Sequence, residues 1–77
     1  MHLLRETIDK TNAALRRLSR AGASDEEAAA AAKEIREHHL PALDAEDEHI
    51  ARATRETLGW MERERARHKE RLAALAY

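Results

Sequence analysis

Ala21-Gly22-Ala23-Ser24-Asp25-Glu26-Glu27-Ala28-Ala29-Ala30-Ala31-Ala32, residues 21–32, reads as the end of one helix, a tight turn and the start of the next. Gly22 stands where a terminating helix needs a residue that tolerates the left-handed conformation. Ser24 and Glu27 have the spacing of a capping box, in which the serine hydroxyl caps the new helix and the glutamate reaches back to the serine backbone. Five consecutive alanines follow. They are strong helix formers, and their small side chains let another helix approach closely. A helical hairpin is therefore predicted around this turn.

Upstream, Leu4, Ile8, Thr11, Leu15 and Leu18 are separated by four, three, four and three residues, the stripe of a helix over about residues 2–21. Leu3 and Ala14 widen that face. Downstream, a second helix over about residues 25–39 presents Ala28, Ala31, Ala32, Ile35 and His38 or His39, a shallow apolar surface. Leu40-Pro41 predicts its end, because proline disfavours the α conformation in the residue before it and has no N–H to continue the ladder. Pro41 also suits the first turn of a third helix, expected over about residues 42–76. Asp44, Glu46, Asp47 and Glu48 crowd its start, where the helix dipole favours negative charge. Its stripe is Ala51, Thr54, Leu58, Met61, Arg65, His68, Leu72 and Leu75. Gly59 interrupts that helix at a cost of about 1 kcal/mol relative to alanine and marks the place for a kink.

The 77 residues contain no valine, phenylalanine or cysteine, two glycines and one proline, which leaves little material for a β-sheet and none for a disulfide framework. The expected fold class is all-α: one domain over residues 1–77, a helical hairpin plus a long third helix forming a three-helix bundle. At ~1.5 Å per residue the third helix reaches roughly 50 Å, against about 30 and 23 Å for the first two. Its last third, from about Glu62 to Tyr77, then lies beyond their cover. A chain this short buries only roughly 60% of the surface it exposes when unfolded, so self-association is an expected source of stability. We accordingly expect a homodimer joined through the overhang, with Leu72, Leu75 and Trp60 at the oligomer interface, or a chain folded back at Gly59. Trp60 lies off the main stripe, and it either widens the core face or anchors an interface of the kind where tryptophan is enriched. Of the two, the core is favoured.

Catalysis finds little support. The only serines are Ser19 and Ser24, and Ser24 is accounted for as a cap. Gly22 and Gly59 are isolated and build no phosphate loop. Paired carboxylates abound, but a thin bundle offers no desolvated place to tune an acid–base pair. The chain is expected not to be an enzyme and to need no cofactor. Five histidines raise metal binding: Glu34 and His38 stand at i,i+4, Glu46 and His49 at the i,i+3 spacing of carboxylate-bridged di-iron bundles, and a turn at Pro41 gathers His38, His39 and His49 near the start of the first helix at His2. The stretch His38-His39-Leu40-Pro41-Ala42-Leu43 resembles the His-rich, Pro-Ala-Leu segments of hemerythrin-like domains, whose other ligand motifs and second half of the bundle are missing. No metal ligands are assigned, and a metal-binding helical bundle stands as an alternative.

Charge is distributed in blocks. Residues 1–23 carry five basic and two acidic side chains, residues 24–48 two and nine, and residues 49–77 seven and four. In the third helix Arg63, Arg65, Arg67, Lys69 and Arg71 alternate with Glu62, Glu64 and Glu70, the pattern of a solvated helix face, and the sequence pI of about 6.5 is far from that of a typical nucleic-acid binder. Direct nucleic-acid binding through this basic helix is a second alternative. The acidic centre carries the leading expectation, a non-enzymatic protein–protein interaction module. In its sharpest form this is a small inhibitor whose acidic edge, with Glu37, Asp44, Asp47 and Glu48 as the contact set, occludes a basic groove of a nucleic-acid-handling complex. In size and charge layout alone the chain is similar to phage antagonists of host defence, anti-CRISPR-like DNA mimics among them. Met1-His2-Leu3-Leu4-Arg5-Glu6 meets an acidic residue too early for a signal peptide, and no apolar run approaches the ~20 residues that cross a bilayer; a cytoplasmic chain with no membrane partner is expected.

Overall fold

The structure, a computed structural model, describes residues 2–75, with the side chains of His2 and Leu3 left undescribed. Those two side chains, invoked above for a histidine cluster and a wider apolar face, and the expected helix end at Ala76 and overhang residue Tyr77 lie outside the described residues.

Helix α1 (His2–Ser19) is followed by a five-residue connection, helix α2 (Asp25–Glu34), a π-helical turn (Ile35–His39), helix α3 (Leu40–Glu46) and helix α4 (Glu48–Leu75). The described residues contain no strand, so the chain is all-α. Helix α1 forms because its apolar residues recur on one side. Thr11, Ala14, Leu15 and Leu18 are buried, and Leu4 and Ile8 pack against the same core, as the stripe predicts. Thr11 is accommodated among them because its hydroxyl donates to the Thr7 carbonyl at 2.6 Å.

The turn is built as expected. Gly22 takes φ +87°, and the Ala23 amide closes back on the Arg20 carbonyl at 3.1 Å. The Ser24 hydroxyl accepts from the Glu27 amide at 3.0 Å while the Ser24 amide donates to the Glu27 carboxylate at 3.2 Å. Such a cap contributes about 1 kcal/mol. Helix α2 then buries Ala28, Ala31 and Ala32.

The chain departs from expectation at Pro41. The second helix does not stop at His39. Helix α2, the π turn and α3 follow one another with no intervening non-helical residue, a helical arm over residues 25–46, and the third helix begins at Glu48 rather than Ala42. The π turn explains how proline is tolerated. The Leu40 amide bonds to the Ile35 carbonyl five residues back, so one extra residue is absorbed just before the residue that has no N–H, and Pro41 falls in the first turn of α3, where a missing donor costs least. The break comes instead at Asp47, whose backbone is extended (φ −157°, ψ 101°). Its carboxylate accepts from the amides of His49 at 3.0 Å and Ile50 at 3.3 Å, capping α4.

This relocation moves residues into the core that the expected turn at Leu40-Pro41 had left out. Leu40 and Leu43 join Ile35, Ala51 and Leu58 in one buried cluster with the α1 and α2 faces. It also shortens the overhang. Arg65 donates to the Ala23 carbonyl at 2.7 Å and Lys69 to Asp25 at 2.6 Å, so α4 lies alongside the α1–α2 turn as far as Lys69. The stretch beyond that cover therefore starts near Glu70 and not near Glu62. Helix α4 runs unbroken through Gly59, so no fold-back occurs there. The molecule measures 51 × 18 × 16 Å, and no helix among the described residues is long and apolar enough to cross a membrane.

Candidate interaction surface

Ion pairs link the helices, and they decide which charges remain free. Arg17 on α1 donates to Glu34 on α2 at 2.6 Å. Arg20 at the end of α1 reaches Glu27 at 2.8 Å. Arg36 in the π turn grips both oxygens of Glu62 on α4, one of them at 2.9 Å, and Arg55 on α4 donates to Asp44 on α3. Asp25 receives Arg65 at 3.1 Å and Lys69 at 2.6 Å. All of these side chains are partly or largely exposed, so solvent screens each pair and it contributes little alone.

The expected acidic contact set is therefore divided. Asp44 is held by Arg55 and Asp47 is the α4 cap, so both have structural tasks. Glu37, in the π turn, and Glu48, the first residue of α4, are exposed and make no ion pair or hydrogen bond among the described residues. Glu46, at the end of α3, is likewise exposed and unpaired among the described residues. Glu46 and Glu48 flank Asp47 at the elbow between α3 and α4, and Glu37 lies about 14 Å up the arm at ~1.5 Å per residue.

The histidines are rearranged by the π turn. The expected i,i+4 pairing of Glu34 with His38 does not form. Glu34 instead meets His39, i,i+5, with Nε2 at 2.9 Å from Oε2, because a π turn stacks residue i+5 over residue i. His39 is buried, while His38 and His49 are exposed. Among the described residues, no group of three or more histidine, cysteine or acidic side chains is placed to hold a metal ion.

Hydrogen bonds lower three carboxylates below their ordinary range: Asp25 through Lys69 and then Arg65, Glu27 through the Ser24 backbone and hydroxyl, and Glu34 through His39 and then Arg17. A carboxylate lowered by folding stabilises the fold above its unfolded value, and that stability is lost as pH falls through the folded one. All three lie between helices or at a cap. The thermal midpoint is thus expected to hold near neutrality and to fall as pH drops through and below the carboxylate range, with Glu34→Gln flattening the fall. A midpoint that rises on acidification would show that these contacts do not stabilise the fold.

The opposite end of the molecule carries the large exposed apolar side chains: Trp60 is 57% exposed, Leu72 54% and Leu75 83%. Trp60 therefore does not widen the core, although Met61 beside it packs against it. Trp60 and Met61 border a groove of about 450 Å³ between the end of α1 and α4, with Glu64, His68 and Arg71 further along. Of these, the sequence singled out Trp60 for an interface; Glu64 and Arg71 read as members of a solvated charge alternation and carried no separate signal.

The chain matches no protein-family model, no curated protein and no solved structure.

Proposed function

We propose that this chain is a non-enzymatic protein-interaction module, a three-helix bundle that works as a homodimer and whose acidic elbow enters a basic groove of a nucleic-acid-handling protein complex, in the manner of small anti-CRISPR-like antagonists. One observation carries the reading. In the acidic centre, Asp25, Glu27, Glu34 and Asp44 are matched by cations and Asp47 by backbone amides, whereas Glu26, at the far end of the arm, and Glu37, Glu46 and Glu48, at or leading to the elbow, are exposed and unmatched among the described residues. Pairing and capping account for the first group; Glu26 and Glu48 stand in the first turns of α2 and α4, where the helix dipole favours them, and Glu37 and Glu46 have no such structural task. Unpaired carboxylates gathered near an elbow raise local negative potential and speed encounter with a basic surface.

The test uses Glu37→Lys with Glu46→Lys and Glu48→Lys, which leaves the cap and all interhelical pairs intact. From an extract of the native host, the unaltered chain is expected to retain a nucleic-acid-binding complex that is released by added double-stranded DNA and by raised salt, since exposed charges are screened over about 8–10 Å. The triple variant, with helicity unchanged by circular dichroism, is expected to lose it. Equal capture by the variant, or capture that DNA does not compete, would refute the acidic-elbow reading.

A further inference from the structure

The groove at Trp60 opens onto the bare tip of α4, and the charged side chains left without a partner inside it are basic. We infer that this crease is a second docking surface, one that receives an acidic amphipathic helix of another protein. The inference goes beyond the acidic-elbow reading, whose residues lie at the opposite end of the molecule and take no part in it.

The floor of the crease is apolar, with Leu18 and Ala21 on one side and Met61 on the other, and Trp60 stands at its edge. Trp60, Glu64, His68, Arg71 and Leu75 follow one another by four, four, three and four residues, so they form one edge of α4. That edge is separate from the face that Leu58 buries in the core and that Arg65 and Lys69 hold against the α1–α2 turn. Helix α1 ends at Ser19, level with the groove, and contributes no wall further along. Leu75, one turn past Arg71, and Leu72, which borders the turn, are therefore left exposed. From Trp60 to Leu75 the edge runs about 22 Å at ~1.5 Å per residue, the length of a helix of about 15 residues.

Charge selects the occupant. Arg20, Arg65 and Arg71 line the crease against one carboxylate, Glu64. Arg20 and Arg65 are tied to Glu27 and Asp25 at the start of α2, and Glu64 is tied to Arg67. Arg71 and His68 are exposed and make no ion pair or hydrogen bond among the described residues. Glu70, unpaired among the same residues, follows His68 by two positions and so points to the far side of the helix. What the crease lacks is a carboxylate for Arg71, whose guanidinium offers a fork of donors shaped for one. A nucleic-acid strand would supply anions, but its phosphates would meet Glu64 in the wall and leave Leu72 and Leu75 in water. An acidic amphipathic helix answers both needs. Its apolar face fills the groove and covers the tip, with the adaptable Met61 side chain beneath it, while its flanking carboxylates reach Arg71.

The experiment titrates the full chain with a synthetic helix of about 15 residues, built from leucine, alanine and glutamate with the leucines on one face, and follows the emission of Trp60, the only tryptophan. Binding is expected to saturate and to move the emission to shorter wavelength as the ring leaves water. Arg71→Glu breaks no contact within the chain and should weaken binding by at least about tenfold, and Leu75→Ser by at least about fivefold. Arg52→Glu makes the same change of net charge on the elbow side of Trp60, beyond the screening length of about 8–10 Å, and should leave binding nearly unchanged. Circular dichroism confirms that each variant remains helical. The docking surface is overturned if the acidic helix gives no saturable shift, or if its counterpart with lysine for each glutamate binds as well. Tighter binding of single-stranded oligothymidylate would assign the crease to nucleic acid instead. An emission that shifts with the concentration of the chain alone, before any peptide is added, would assign it to a second copy. The elbow is not engaged in this assay, so each of these failures leaves the acidic-elbow reading standing.

Discussion

Leu43→Ala is expected to lose about 2–5 kcal/mol of folding stability, the cost of removing a buried leucine whose surroundings cannot fully collapse. Leu43 has no exposed surface and belongs to the cluster that also holds Leu40, Ala51 and Leu58. It lies on α3, which touches both α1 and α4, so a void there loosens two contacts at once. A chain of 77 residues commonly has a total stability of roughly 4–12 kcal/mol, and the variant should approach the threshold of unfolding. Urea denaturation followed by circular dichroism measures this directly. A loss under about 1 kcal/mol would mean that Leu43 is not in the core and that the arm does end near Pro41.

Ala51→Leu should be costly for the opposite reason. Asp47 is the one non-helical residue between α3 and α4, so the two helices leave the elbow close together, and Ala51, one turn into α4, is wholly buried in that approach. Three added carbons have no void to occupy and must push the helices apart, which typically costs about 1–3 kcal/mol. The thermal midpoint should drop, and the same substitution at exposed Ala53 should leave it nearly unchanged. Equal midpoints for the two variants would show that α3 and α4 do not close on Ala51 at the elbow.

The first half of the fold is legible because its signals agree. The α1 stripe, Gly22 and the Ser24–Glu27 box each specify the same turn. The second half is not, because two local rules conflict. Proline reads as a stop, yet the fold needs Leu40 and Leu43 on the arm to complete a core that alanines alone cannot fill, and the π turn lets the helix pass Pro41. Nothing in the sequence marks Asp47 as the break, since Asp44, Glu46, Asp47 and Glu48 are all suited to a helix start. The acidic block was visible as a count of charges. Which carboxylates stay free was not, because Asp44 meets Arg55 and Asp25 meets Lys69 across 11 and 44 residues, and such partners are chosen by the packing of the helices. The same is true of Trp60, whose position off the stripe told of a boundary without saying which side of it the ring occupies.

The uninterrupted course of α4 past Gly59 makes the molecule a strut. Its 28 residues separate elbow from tip by about 40 Å at ~1.5 Å per residue, with no joint between them. Whatever is gripped at one extremity is held clear of whatever is gripped at the other, and their spacing is set by the number of helical turns.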